Sequence, residues 1–194
     1  MRRRLMAASI FVVASLSVGA ALLYVDTSHS GWHELRCGLW ANDNGDIGLK
    51  TTRAVSDAKI ETFYLTRTTL GDGASLKSFV DTETFHYIGA SFYKDKNHIY
   101  NYFPMSDGGS FYPLDDIVDY ATFGVFEGSC YARDKNSIYV EKHVLIRSHV
   151  DYQTFHVMRE CLGQDRYGFI LWEDRTTEDD AKEYLKVLNE KGGK

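Results

Sequence analysis

The fold class predicted for this chain is mainly β. Repeated antiparallel β-hairpins form a meander or an incomplete propeller, with one C-terminal α-helix and a preceding hydrophobic N-terminal signal or anchor helix. Three observations predict it. A Val-Asp-x-x-Thr-Phe segment recurs at Val80, Val118 and Val150. Each copy runs into aromatic and β-branched residues broken by an Asp-centred turn, the pattern of strand, turn and strand. Past Thr177 the apolar spacing changes to that of a helix.

At the N-terminus, Arg2, Arg3 and Arg4 precede a run without charge from Leu5 to Val25, interrupted by Ser9, Ser15 and Ser17. As a helix its 21 residues reach roughly 31 Å, against about 30 Å for a bilayer core. A cleaved signal peptide would use Val18-Gly19-Ala20 or Gly19-Ala20-Ala21. An uncleaved anchor better explains why Leu22, Leu23, Tyr24 and Val25 prolong the run. Either way the arginines hold the start in the cytoplasm. Residues 26–194 are then expected as a single extracytoplasmic domain, in the periplasm or tethered to the inner membrane through residues 5–25.

That body holds 19 basic and 27 acidic residues, a net charge of −8. An acidic surface repels phosphate backbones, which argues against nucleic-acid binding, and attracts a cationic protein partner. Cys37, Cys130 and Cys161 all lie in the body. An oxidising compartment permits one disulfide among them and leaves one odd thiol.

The three repeats define units over about 80–117, 118–149 and 150–172. The first unit carries Asp95, Lys96, Asn97 and Tyr100, and the second carries Asp134, Lys135, Asn136 and Tyr139. The third keeps Asp165 and Arg166 but has Tyr167 in place of Asn. From the first Asp to the second is 14, 15 and 14 residues, so the paired elements keep their spacing while the connections vary. Asp suits the start of a type I turn, and Asn tolerates the left-handed conformation that closes a hairpin. The Asp-x-x-Thr-Phe segment is expected to be a turn whose Asp side chain caps backbone N–H groups. Lys59-Ile60-Glu61-Thr62-Phe63 is a weaker echo without the Asp.

Cys130 and Cys161 stand four residues before Asp134 and Asp165. One strand per rung would set them about 4.8 Å apart, within disulfide reach; a two-stranded hairpin per unit would set them nearly 10 Å apart. The hairpin arrangement, favoured here, would pair Cys37 with one of them, and the pairing stays open. Elsewhere, Asn42 to Asp46 is a polar turn between Leu39-Trp40 and Ile47, suggesting another hairpin, and Ser106 to Ser110 is a loop. Thr177 caps a helix expected over 178–190, with Ala181, Tyr184, Leu185 and Leu188 on one face.

The repeated Asp-Lys-Asn with Tyr100 and Tyr139 resembles the DKNYY family of exported bacterial repeat proteins, over roughly Val80 to Leu171. The resemblance implies no reaction, because the family carries none assigned.

Catalytic and metal signatures are sparse. Each unit offers one Asp followed by a basic residue, which suits a turn better than a calcium loop, and Asn42 to Asp46 also reads better as a turn. His86 and His156 occupy equivalent places but form no cluster. Cys130 with His143 or His149 fits a disulfide or buried thiol better than a nucleophile. His-Glu-x-x-His, Gly-x-Ser-x-Gly and phosphate-loop patterns do not occur. No metal, cofactor or catalytic residue is assigned. The expected function is a non-enzymatic extracytoplasmic binding protein, most concretely an immunity protein whose acidic, aromatic surface plugs a cationic toxin delivered to the periplasm. A structural or assembly component of the envelope is the alternative, and a hydrolase comes third.

Overall fold

The structure, a computed structural model, describes residues 31–56, 59–70, 72–141 and 150–192. The signal or anchor expected over 1–25 lies outside these residues, as do His143 and His149. Among the described residues no helix is long and apolar enough to cross a membrane.

Four antiparallel meanders follow one another along the chain, and none closes into a barrel. The first comprises β1 (Trp32–Arg36), β2 (Leu39–Asn42), β3 (Ile47–Ser56) and β4 (Lys59–Leu65). The second holds β5 (His86–Gly89), β6 (Phe92–Lys94), β7 (Ile99–Phe103) and β8 (Ser110–Pro113). The third is β9 (Gly124–Val125), β10 (Tyr131–Arg133) and β11 (Ile138–Val140). The fourth is β12 (His156–Arg159), β13 (Leu162–Asp165), β14 (Gly168–Leu171) and β15 (Asp174–Thr176), followed by α1 (Glu178–Gly192).

The expected hairpins form around each Asp-centred turn. Lys94 pairs with Ile99, Arg133 with Ile138 and Asp165 with Gly168. Each unit is larger than one hairpin, because the segment after Thr-Phe adds an outer strand. The Asn42 to Asp46 turn also joins two strands: Asn42 Oδ1 accepts the N–H groups of Asn44 and Asp46, and Ala41 pairs with Ile47. The weaker echo at Lys59 to Phe63 is not an equivalent unit. It lies inside β4, where Thr62 pairs with Thr52, and without the Asp it has no turn to nucleate.

The tight loops use left-handed backbone where the hairpin twist demands it. Ala90 and Ser91, between β5 and β6, have φ of 47° and 63°. Asn97 and Asn136 do not adopt that conformation, which corrects the role expected for them. Their turns are held by the preceding Asp side chain, as described below.

The core lies between successive meanders. Leu39, Leu49, Phe85, Tyr100 and Phe111 pack together where the first meets the second. Phe92, Ile99, Leu114, Phe123 and Tyr139 join the second to the third. Tyr131, Ile138, Phe155 and Ile170, with Cys130 and Cys161, join the third to the fourth. The Phe of each Thr-Phe pair (Phe85, Phe123 and Phe155) is therefore the residue that docks its unit onto the preceding one. A row of this kind derives its stability from neighbour-to-neighbour interfaces. On α1, Ala181 is buried and Tyr184, Leu185 and Leu188 are half-buried, the expected face. Thr177 Oγ1 accepts the Asp180 N–H at 3.1 Å, as expected of an N-cap.

Candidate functional site

The repeated acidic residues build one cage three times. In the first unit Asp95 is buried, and its carboxylate accepts four hydrogen bonds. Oδ1 takes the N–H groups of Asn97 and His98, each at 2.8 Å. Oδ2 takes the Asp81 N–H at 2.8 Å and the Tyr100 hydroxyl at 2.6 Å. Asp81 in turn accepts the Thr84 N–H and hydroxyl through Oδ1 and pairs with Lys96 Nζ at 2.6 Å. The Lys96 N–H donates back to Thr84 Oγ1. Lys96 and Thr84 hold the Asp81 carboxyl down at about 2. A carboxylate that accepts several N–H donors can lie buried at little penalty.

The second unit repeats this atom for atom. Asp134 accepts the N–H groups of Asn136, Ser137 and Asp119 and the Tyr139 hydroxyl. Lys135 Nζ lies 2.6 Å from Asp119. Burial raises the Asp134 carboxyl, yet these donors outweigh it and leave it below the usual range. Burial pushes the Tyr100 and Tyr139 hydroxyls well up, so they stay protonated donors.

The third unit has Ile170 where the others have Tyr. Arg175, from β15, fills the role: its Nη1 and Nη2 lie 2.6 and 2.5 Å from the two Asp165 oxygens. Burial raises the Asp165 carboxyl, but Arg175 and the N–H groups of Asp151 and Tyr167 bring it down to about 2. Arg175 escaped the sequence reading because it lies on the next strand, although the missing Tyr at Ile170 was the available signal. Two further residues were missed. Tyr120 and Tyr152 donate their hydroxyls to the carbonyls of Asp95 and Asp134, at 2.7 and 2.5 Å, tying each unit to the preceding cage. The first unit has Thr82 at that place.

Cys130 and Cys161 are disulfide-bonded with Cα atoms 5.2 Å apart, and Cys37 is exposed and unbonded. This overturns the separation of nearly 10 Å expected from hairpin units. Successive units do not extend a single sheet. Their turns abut instead, with Ser129 bridged to Glu160 in parallel, so equivalent positions stand one strand spacing apart. Glu141 lies beside the disulfide, its carboxyl raised by burial. His86 and His156 are exposed and lie against the carbonyls of Thr84 and Thr154.

The motif residues are thus engaged within the fold. The described surface carries an acidic groove of about 560 Å³. Leu70, Phe79, Tyr112 and Ile117 give it apolar walls. Asp72, Asp115 and Asp116 give it negative charge, and among the described residues no Lys or Arg lines it. His98 Nδ1 lies 2.6 Å from Asp115. Thr68 also lines the groove; the residue is 8% exposed, and its hydroxyl has no hydrogen-bond partner. No repeat pattern marks Asp72, Asp115 and Asp116, which lie in connections outside the cages, whereas His98 comes from the Asp95 turn and Tyr112 from β8.

No protein-family model, curated protein or solved structure matches this chain. Function therefore rests on the geometry alone.

Proposed function

We propose that this chain is a non-enzymatic extracytoplasmic binding protein that captures a cationic protein partner, in the periplasm or at the periplasmic face of the inner membrane. Its most concrete form is an immunity protein that neutralises a toxin delivered to that compartment. The same reading places the chain with the DKNYY proteins it resembles and treats its meanders as blades of an incomplete propeller.

The observation that carries the proposal is the division of labour among the acidic residues. The cage aspartates are committed to internal hydrogen bonds, while the body keeps a net charge of −8 and gathers Asp72, Asp115 and Asp116 along one groove. Complementary charge of this kind speeds association and selects partners. The test is a deletion strain challenged with the exported product of the adjacent gene. Death of the deletion strain, rescue by this protein, and co-purification of the pair at low salt are expected. Survival of the deletion strain with no complex would count against the proposal. An envelope defect without any toxin would favour a structural role instead.

A further inference from the structure

We propose that the groove lined by Asp72, Asp115 and Asp116 is the socket for an arginine side chain presented by the partner polypeptide. This inference rests on the reading that the partner is cationic, and it assigns the residues that hold it.

Four features select this occupant. The carboxylates supply charge that no Lys or Arg of the groove offsets. Two of them are partly engaged locally, since Asp72 Oδ1 accepts the Ala74 N–H and Asp115 Oδ2 lies 2.6 Å from His98 Nδ1, yet a carboxylate has further acceptor sites. Leu70 and Ile117 are 57% and 39% exposed and offer apolar surface for the methylene stem of a long side chain. Phe79 and Tyr112 supply aromatic rings, on which a guanidinium stacks better than an ammonium does. The buried Thr68 hydroxyl lacks a partner within the fold. Such groups are uncommon in native proteins, and an incoming N–H donor would satisfy the acceptor side of this one. A guanidinium brings five donors and no acceptor, matching the three carboxylates that line the groove. The volume of about 560 Å³ accommodates the side chain together with its flanking backbone.

The test uses the full-length protein in detergent micelles at low salt. Its probes are terminally blocked, fluorescein-labelled peptides of four arginines, four lysines or four citrullines. Fluorescence anisotropy is expected to show saturable binding of the arginine peptide, binding of the lysine peptide weaker by several-fold, and none of the citrulline peptide. Asp116→Asn and Leu70→Ser should each weaken the arginine peptide at least tenfold, whereas Glu183→Gln on the remote helix should not. Thr68→Val should weaken binding without lowering the melting temperature. Equal binding of lysine, binding of citrulline, or indifference to the groove variants would overturn the socket. A natural partner whose affinity is unchanged by Asp116→Asn would also overturn it, while leaving the proposed function standing. Loss of the arginine peptide on Asp116→Asn, with no exported partner found, would keep the socket and remove the immunity reading.

Discussion

Tyr139 and Arg175 solve the same problem with different chemistry. Each satisfies one buried Asp, the first with a neutral hydroxyl and the second with a cation. Tyr139→Phe removes one donor from Asp134 and should destabilise the protein by about 1.5–3 kcal/mol, as measured by urea unfolding. Arg175→Met removes the cation paired with a buried carboxylate and should be harsher, about 3–5 kcal/mol. The pH dependence has a definite sign. The Asp165 carboxyl is depressed from 3.8 to about 2 in the fold. Its contribution, on the order of 2 kcal/mol, is full above its unfolded value and disappears as the pH falls through the folded one. Unfolding followed between pH 4.5 and 1.5 should therefore show acid lability in the native protein, with a smaller slope in Arg175→Met. An identical slope in both would contradict the cage.

At the scale of elements, the chain was legible wherever a local pattern dictates local structure. The Asp-centred hairpins, the Thr177 cap and the helix face all follow from spacing and side-chain chemistry. What lay beyond the sequence was set by packing between units. The disulfide partner depended on how neighbouring turns abut, and Arg175 acts from a strand outside the repeat. The aspartates of the groove lie in connections that vary from unit to unit. Two outcomes follow at this scale. Reduction of Cys130–Cys161, which are separated by 31 positions, should lower stability by about 2–4 kcal/mol without loss of β-structure in circular dichroism. Phe123→Ala should cost about 3–5 kcal/mol in urea unfolding, because Phe123 docks the third meander onto the second.

Across the whole molecule, successive meanders joined by three cores make a frame whose surface is left to charge and connections. The motif that draws the eye in the sequence serves the frame, so its residues are poor guides to the function. The proposed function instead belongs to the acidic surface, which would face a cationic partner. The most direct measurement is the affinity of the protein for the exported product of its neighbouring gene, taken by titration calorimetry across a salt series. The account predicts tight binding at low salt that weakens steadily as salt screens the acidic surface. No binding at low salt, or an affinity indifferent to salt, would contradict it.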